Sequence, residues 1–241
     1  MKEIMIRSDG RTHDQIRPIR ITHGIVGNAD GSVLFELGDT RVICTVTLQD
    51  GVPHFLRGTG TGWLTAEYSL LPAATTPRSQ REATAQRRNN RSIEISRLLG
   101  RALRSIIEFK YCGERTIFID CDVIQADGST RVAAISGAYC ALKQAAQVWK
   151  EKGIIKKDII LETVAAVSVG WTGTEALLDL NYEEDQGIVA DFNFVMTGSG
   201  KIIEIQGATE QRPILWEHVE KMQKTAVHGI QEVLEYTTLT V

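Results

Sequence analysis

Apolar and polar residues alternate between Ser32 and Leu48, first in SVLFEL (Ser32 to Leu37) and again in TRVICTVTL (Thr40 to Leu48). A period of two puts alternate side chains on opposite faces of a strand, so residues 17–49 are expected to be β-rich. Gly38-Asp39 between the two runs is a hairpin signal. Further on the period lengthens. Ile95, Leu98, Leu99, Ala102, Leu103 and Ile106 recur three or four residues apart, which predicts a helix from about Ser92 to Phe109. Arg97, Arg101, Arg104 and Glu108 take its solvated face. TIFIDCDVI then alternates again, with Ile117, Ile119, Cys121 and Val123 on one face and Asp120 and Asp122 on the other. Ile135, Ala138, Leu142, Ala145 and Trp149 mark a second long helix, which stops at KEKG, basic residues followed by a glycine.

The remainder reads as a meander and a closing helix. TVAAVSVGW and EALLDLNY flank a Thr-Gly-Thr turn, ADFNFVMT and KIIEIQG flank Gly-Ser-Gly, and a helix is expected over Pro213 to Leu234. Residues 50–90 show little periodicity and contain many Gly and Arg residues; so long a segment is more often functional than idle. The order of elements predicts an α+β fold, a single domain over residues 1–241 with helices packed on mixed and antiparallel sheets.

Composition narrows the class. With 43% apolar and 24% charged residues the chain has the balance of a globular protein, and 241 residues suffice for a substantial core. The net charge of −3 does not announce a nucleic-acid binder, so any polyanion site must come from local clustering. Cys44, Cys112, Cys121 and Cys140 are scattered, with no pairing or His spacing that suits a disulfide framework or zinc. The start, MKEIMIRSDGR, lacks the apolar core of a signal peptide, and no apolar run approaches the ~18 residues of a membrane span. No membrane association is expected, and the expected location is cytoplasmic.

Three stretches carry candidate chemistry. In QADGSTRVAAIS a strand stops at Asp127-Gly128, and Ser129, Thr130 and Arg131 precede an apolar helix. The first N–H groups of a helix lack intrahelical partners, and an arginine beside them suits an anion; ordinary turn and cap chemistry accounts for the same residues. From Arg78 to Arg104 eight arginines face two glutamates, a net charge of +6 in 27 residues. Of these, Arg78, Arg81, Arg87, Arg88 and Arg91 precede the helix, in a loop, where arginine suits phosphate backbones. The acidic stretch DLNYEEDQGIVADFN places Asp185 near the end of one expected strand and Asp191 at the start of the next. Such a pair suits Mg²⁺ or Mn²⁺ or general acid–base work, and equally a solvated turn.

Together, RSDGRTHDQIRPIRI, GVPHFLRGTGTGWLTAEYSLLP, RSIEISRLLGRALR, CDVIQADGSTRVAAISGA and EDQGIVADFN resemble, in order, the ribonuclease PH family of phosphorolytic 3′-to-5′ exoribonucleases. The resemblance implies a ribonuclease PH-like fold of the ribosomal protein S5 domain 2 type. It implies trimming of tRNA precursors and other RNA 3′ ends, with inorganic phosphate as co-substrate and nucleoside diphosphates as products. Phosphate binding falls on Arg91, Ser129, Thr130 and Arg131, catalysis and Mg²⁺ (or Mn²⁺) on Asp185 and Asp191, and RNA binding on Arg78 and Arg81. The implied assembly is a hexameric ring, a trimer of dimers. Three departures stand out: Ser129 in place of a usual Gly, Asn89-Asn90 in place of Gly-Gly, and Ala73 in place of an arginine. The alternative is a catalytically inactive RNA-binding ring subunit of an exosome-like assembly.

Overall fold

The computed structural model describes residues 7–82 and 89–239. Strands β1 (Ile19–His23), β2 (Gly31–Leu37) and β3 (Thr40–Asp50) form an antiparallel meander, with Leu37 opposite Thr40 across the Gly38-Asp39 turn. β3 also pairs antiparallel with β5 (Arg115–Gln125), Cys44 lying opposite Cys121. The edge is closed by β4 (Trp63–Leu70), parallel to β5, in the order β1-β2-β3-β5-β4. This strand corrects the reading of residues 50–90 as one irregular segment. Leu64, Ala66 and Tyr68 do alternate and are buried, but the run is short and its flanking glycines and prolines obscure the period.

Helix α1 (Asn90–Arg104) buries Ile95, Leu98, Leu99, Ala102 and Leu103 against that sheet. It stops at Arg104 rather than at Phe109. Ile106 and Ile107 continue the apolar run outside the helix, and Ile107 makes a β-bridge with Ile160 instead. Arg104 does not lie on a solvated face: its guanidinium donates to the Leu64 carbonyl and covers the Trp63 ring at 4.7 Å.

Helix α2 (Thr130–Glu151) lies between the two sheets and is apolar nearly all round, which is why its small residues matter. A Cβ on Gly137 would stand 2.8 Å from Cys44 Sγ and 2.9 Å from Phe35 Cβ, so only glycine admits this approach to β2 and β3. The second sheet has the order β7-β6-β8-β9: β7 (Ala176–Leu178), β6 (Val164–Trp171), β8 (Ala190–Thr197) and β9 (Ile202–Thr209). All of β6 is buried because both its faces are covered. Val164 and Ala166 join the core around α2, while Ala165, Val167 and Val169 join the core beneath α4 (Trp216–Leu239), with Met222, Ala226, Ile230 and Val233. The result is four alternating layers, sheet, helices, sheet, helix. α4 begins three residues after the expected Pro213 and runs on to Leu239. The four cysteines are buried and free.

Two deviations shape the site. The strand expected over EALLDLNY ends after three residues, at Leu178, because Asp179 turns the chain through a left-handed conformation (φ 54°). The acidic stretch that follows is not a bare loop between strands but a short helix, α3 (Tyr182–Gly187). Asn181 caps it: its side chain accepts from Glu184 N at 2.9 Å, and Glu184 Oε2 accepts from Asn181 N at 3.0 Å.

Candidate active site

β5 ends at Gln125, and the chain needs a tight reversal to enter α2 at Thr130. Gly128 (φ 70°) and Ser129 (φ 54°) supply it, both left-handed. A Cβ on Gly128 would lie 2.4 Å from the Leu180 carbonyl oxygen, so this turn packs directly against the segment leading into α3. Thr40 ties it down, donating from Oγ1 to Gly128 O at 2.6 Å and accepting from Asp127 N at 2.9 Å.

A cavity of about 1070 Å³ opens in front of this turn. Arg91, Ser129, Thr130, Arg131, Asp185 and Asp191, which come from the starts of α1, α2 and β8 and from α3, all line it. Arg91 stands at the second residue of α1, behind an Asn89 cap whose side chain accepts from Arg91 N at 3.0 Å. Asn89 does this from extended backbone (φ −65°, ψ 129°), so the departure from Gly-Gly needs no left-handed residue and works as an ordinary cap. Thr130 Oγ1 accepts from the buried Tyr68 hydroxyl at 2.9 Å, which leaves the threonine's own proton available to an acceptor in the cavity. Arg131 Nη1 donates to Glu94 and to Gln206, each at 3.2 Å.

Ser129 departs from the expectation. It lines the cavity, but its hydroxyl lies 2.7 Å from Ser168 Oγ, 2.9 Å from Asp179 Oδ1 and 3.0 Å from the Leu180 carbonyl, so the side chain is committed to protein groups. Arg78 and Arg81 are exposed and do not line the cavity; Ala73, Thr75, Thr76 and Pro77 of the same segment do. Arg78 donates to Ser79 O at 3.2 Å. Arg87 and Arg88 lie outside the described residues.

The carboxylates sense one another. Burial first, and then the charge of Asp185, push Asp191 up to about 6, against the pull of Arg131 and a hydrogen bond from Asn193. Asp185 is also raised, by burial foremost and by Glu210, while Arg91 and Arg131 act the other way. Each acid therefore lies within the field of the arginines, yet burial outweighs their pull and leaves both carboxyls raised. Oxygen donors in that condition suit a hard divalent cation. Among the described residues no group of three or more His, Cys, Asp or Glu side chains could hold a metal ion, so a cation here would complete its shell from phosphate oxygens and water. Asn193 and Glu210, which line the cavity, were not anticipated as part of the site, and Asp179, expected around a short acidic loop with Glu183 and Glu184, is instead buried outside the cavity lining. Asn181-x-x-Glu184 is a cap signature visible in the sequence and would have revealed α3.

Residues 15–146 match the first domain of the 3′ exoribonuclease family, and residues 162–229 match its second. The chain belongs to the 3′ exoribonuclease family. Ribonuclease PH of Corynebacterium efficiens is 50% identical over 228 residues, 95% of this chain and 93% of that protein. The crystal structure of rice Rrp46 superposes with a TM-score of 0.79 at 20% identity, covering 97% of this chain and 99% of that one. A structure of the Archaeoglobus fulgidus exosome with RNA bound to the active site gives a TM-score of 0.82 at 19% identity, covering 95% and 92%. At these identities the structural likeness shows the shared fold, mixed sheets interleaved with helices. The exoribonuclease family and the half-identical ribonuclease PH identify the chain as an enzyme.

Proposed function

We propose that this exoribonuclease is phosphorolytic, shortening the 3′ ends of tRNA precursors and of other RNAs with inorganic phosphate as nucleophile. Arg91, Arg131, the Thr130 hydroxyl and the first N–H groups of α2 hold the phosphate; guanidinium forks match its oxygens, and the helix dipole favours its charge. A phosphate oxygen attacks the phosphorus of the last phosphodiester. The new P–O bond makes a nucleoside diphosphate, and the bond to the preceding 3′ oxygen breaks. That oxygen takes a proton, a general-acid task for which one carboxyl of the Asp185–Asp191 pair is the candidate, supplied directly or through bound water. The same two aspartates would hold Mg²⁺ or Mn²⁺, which supplies charge neutralisation at the reacting phosphates. The ester bond that breaks is replaced by the anhydride bond of the diphosphate rather than lost to water, so excess nucleoside diphosphate drives the reverse, adding residues to the RNA.

The observation that carries this reading is the convergence of Arg91, Thr130, Arg131, Asp185 and Asp191 on one cavity. RNA reaches it, in this reading, past Arg78 and Arg81 on the rim segment. A hexameric ring, a trimer of dimers, would bring further copies of these arginines to the RNA path of a chain whose net charge is −3. The whole chain acts as one unit, a reading supported by the placement of α2 between both sheets. The cytoplasm suits its RNA substrates, and among the described residues no helix is long and apolar enough to cross a membrane. An inactive RNA-binding subunit is disfavoured, since the arginines and aspartates are kept together.

The test is product analysis by chromatography. RNA with a free 3′ end should yield nucleoside diphosphates only when phosphate and a divalent cation are supplied. Nucleoside monophosphates released without phosphate would identify a hydrolase and overturn the reading.

A further inference from the structure

Behind the cavity wall lies a buried ionic cluster that touches no part of the cavity's arginines. Asp179 is 1% exposed and sits in one of the two left-handed non-glycine conformations among the described residues, the other being Ser129. Arg17 grips its carboxylate three times: Nη2 to Oδ1 at 2.7 Å, Nε to Oδ2 at 2.8 Å, and the backbone N–H to Oδ2 at 2.9 Å. Arg11 Nη1 adds a contact to Oδ2 at 3.2 Å. Arg7 Nη2 donates to the Asp179 carbonyl at 2.8 Å, and its guanidinium also makes a two-pronged pair with Glu184, Nε to Oε1 at 2.5 Å. All three arginines are at least nine-tenths buried. Such a cluster is costly to desolvate and is a weak stabiliser of a fold as such. What it does is join two segments.

One segment is the turn 127–131. Arg17 Nη1 donates to the Asp127 carbonyl at 2.5 Å, and the Ser129 hydroxyl reaches Asp179 Oδ1 at 2.9 Å. The other is the approach to α3, through Leu180 and Glu184, the residue before Asp185. A single chain of donors runs between them. Leu180 N–H donates to Ser168 Oγ (3.2 Å), Ser168 Oγ lies 2.7 Å from Ser129 Oγ, and the one proton of Ser129 Oγ has Asp179 Oδ1 (2.9 Å) and the Leu180 carbonyl (3.0 Å) as acceptors, both on the far segment.

We propose that Ser129 is a positioning residue: through its hydrogen bond to Asp179 it fixes the phosphate-holding turn against the segment that carries Asp185, so that nucleophile and carboxylates stay in register. This rests on the phosphorolytic reading for its meaning, though not for its geometry. A small misplacement of the turn lowers the match to phosphate oxygens before it alters anything at the RNA. Ser129 reaches its αL conformation without the freedom of glycine because the hydroxyl holds it there.

Ser129→Ala removes that hydroxyl. Its KM for phosphate should rise about tenfold, with most of the loss of kcat/KM for phosphate in KM and with KM for RNA unchanged. Ser168→Ala, which removes the preceding link, should shift the same parameter in the same direction and by less. Calorimetric titration with inorganic phosphate alone should show binding about tenfold weaker in Ser129→Ala, a readout that needs no RNA and no turnover. A Ser129→Ala protein with lowered melting temperature and unaltered phosphate affinity would reduce the contact to packing and overturn the proposal. So would a fall in kcat with phosphate KM unchanged, since the hydroxyl would then act in the chemistry itself. If Ser129→Ala does not fold, Ser168→Ala decides by the same two measurements. A wild-type enzyme that works without phosphate would sink the phosphorolytic reading, while the titration would still decide whether Ser129 positions an anion-binding turn.

Discussion

The Arg131 guanidinium lies 3.2 Å from the Glu94 carboxylate, so the cation that faces the cavity is paired across the α1–α2 gap. If Arg131 holds phosphate as proposed, phosphate and Glu94 compete for the same donors. Half of the Glu94 side chain is exposed, and exposed pairs are worth about 0–1 kcal/mol, so the competition is mild. Glu94→Gln should lower the KM for phosphate by about two- to fivefold, more at low ionic strength than at high. Arg131→Ala should raise it by well over tenfold while RNA binding in the absence of phosphate stays as in the wild type. Steady-state kinetics with phosphate as the varied substrate checks both; parallel loss of RNA binding in Arg131→Ala would reduce the turn to a scaffold.

Asp185 and Asp191 lie on different elements, α3 and β8, yet the charge of Asp185 helps to raise Asp191. Asp185→Asn and Asp191→Asn keep the shape and remove the charge. Each should lower kcat by about a hundredfold or more, the usual scale for losing a group that acts on developing charge or protons. The double variant should lose little beyond the worse single, because the two act as a unit. Single-turnover assays on a short RNA would measure this, and independent, multiplicative losses would argue against a shared role.

Much of this architecture could be read from periodicity. The β2–β3 hairpin, the buried face of β5, the course of α2 and the β8–β9 hairpin follow from alternation, helical spacing and turn residues. β4 escaped because a strand of eight residues between glycine-rich stretches offers few periods to count. The residues that line the cavity could be picked out where they sit in compact motifs, at Ser129-Thr130-Arg131 and at Asp185 and Asp191. The support behind them could not: Arg7, Arg11 and Arg17 look like solvated charges in the sequence, and nothing local says that Asp179, more than 160 residues away, meets them. Only the fold brings the segments together. The hydroxyl of Ser129 misled for a related reason, since a left-handed turn points it backward into that cluster.

The same cluster gives the fold an acid limit. Burial alone would raise the Asp179 carboxyl, but the Arg17 guanidinium, its backbone N–H and Arg11 together hold it below the usual carboxylate range. A folded-state value below the unfolded one means that the contribution is fully present above the unfolded value, about 4, and is lost as the pH falls through the folded one. Urea midpoints of the wild type should therefore hold between pH 7 and 5 and fall below about pH 4. Asp179→Asn takes the main counter-charge from the buried Arg17, leaving it only the more exposed Asp127 carboxylate at 3.2 Å, and should cost about 3 kcal/mol at pH 7. The gap between the two proteins should narrow as the pH drops toward 2; a gap independent of pH would assign the stabilisation to shape rather than charge.

Arg78 and Arg81 are exposed on the segment whose Ala73 and Thr75 to Pro77 line the cavity, and in the proposed reading an RNA strand passes them on its way to Asp185. Exposed arginines outside the cavity act on the polyanion and not on the small nucleophile. Each phosphate contact to a single strand contributes about 0.7 to the slope of log affinity against log salt. Replacing both by alanine should thus weaken RNA binding without regard to sequence and flatten that slope by about 1, with the KM for phosphate unchanged. Ala73 supplies the converse test: Ala73→Arg, at the rim and exposed, should tighten RNA binding and steepen the slope. Fluorescence anisotropy of a labelled oligonucleotide over a salt series measures both. If the slope is indifferent to all three positions, this rim does not carry the RNA and the strand must approach from another side of the cavity.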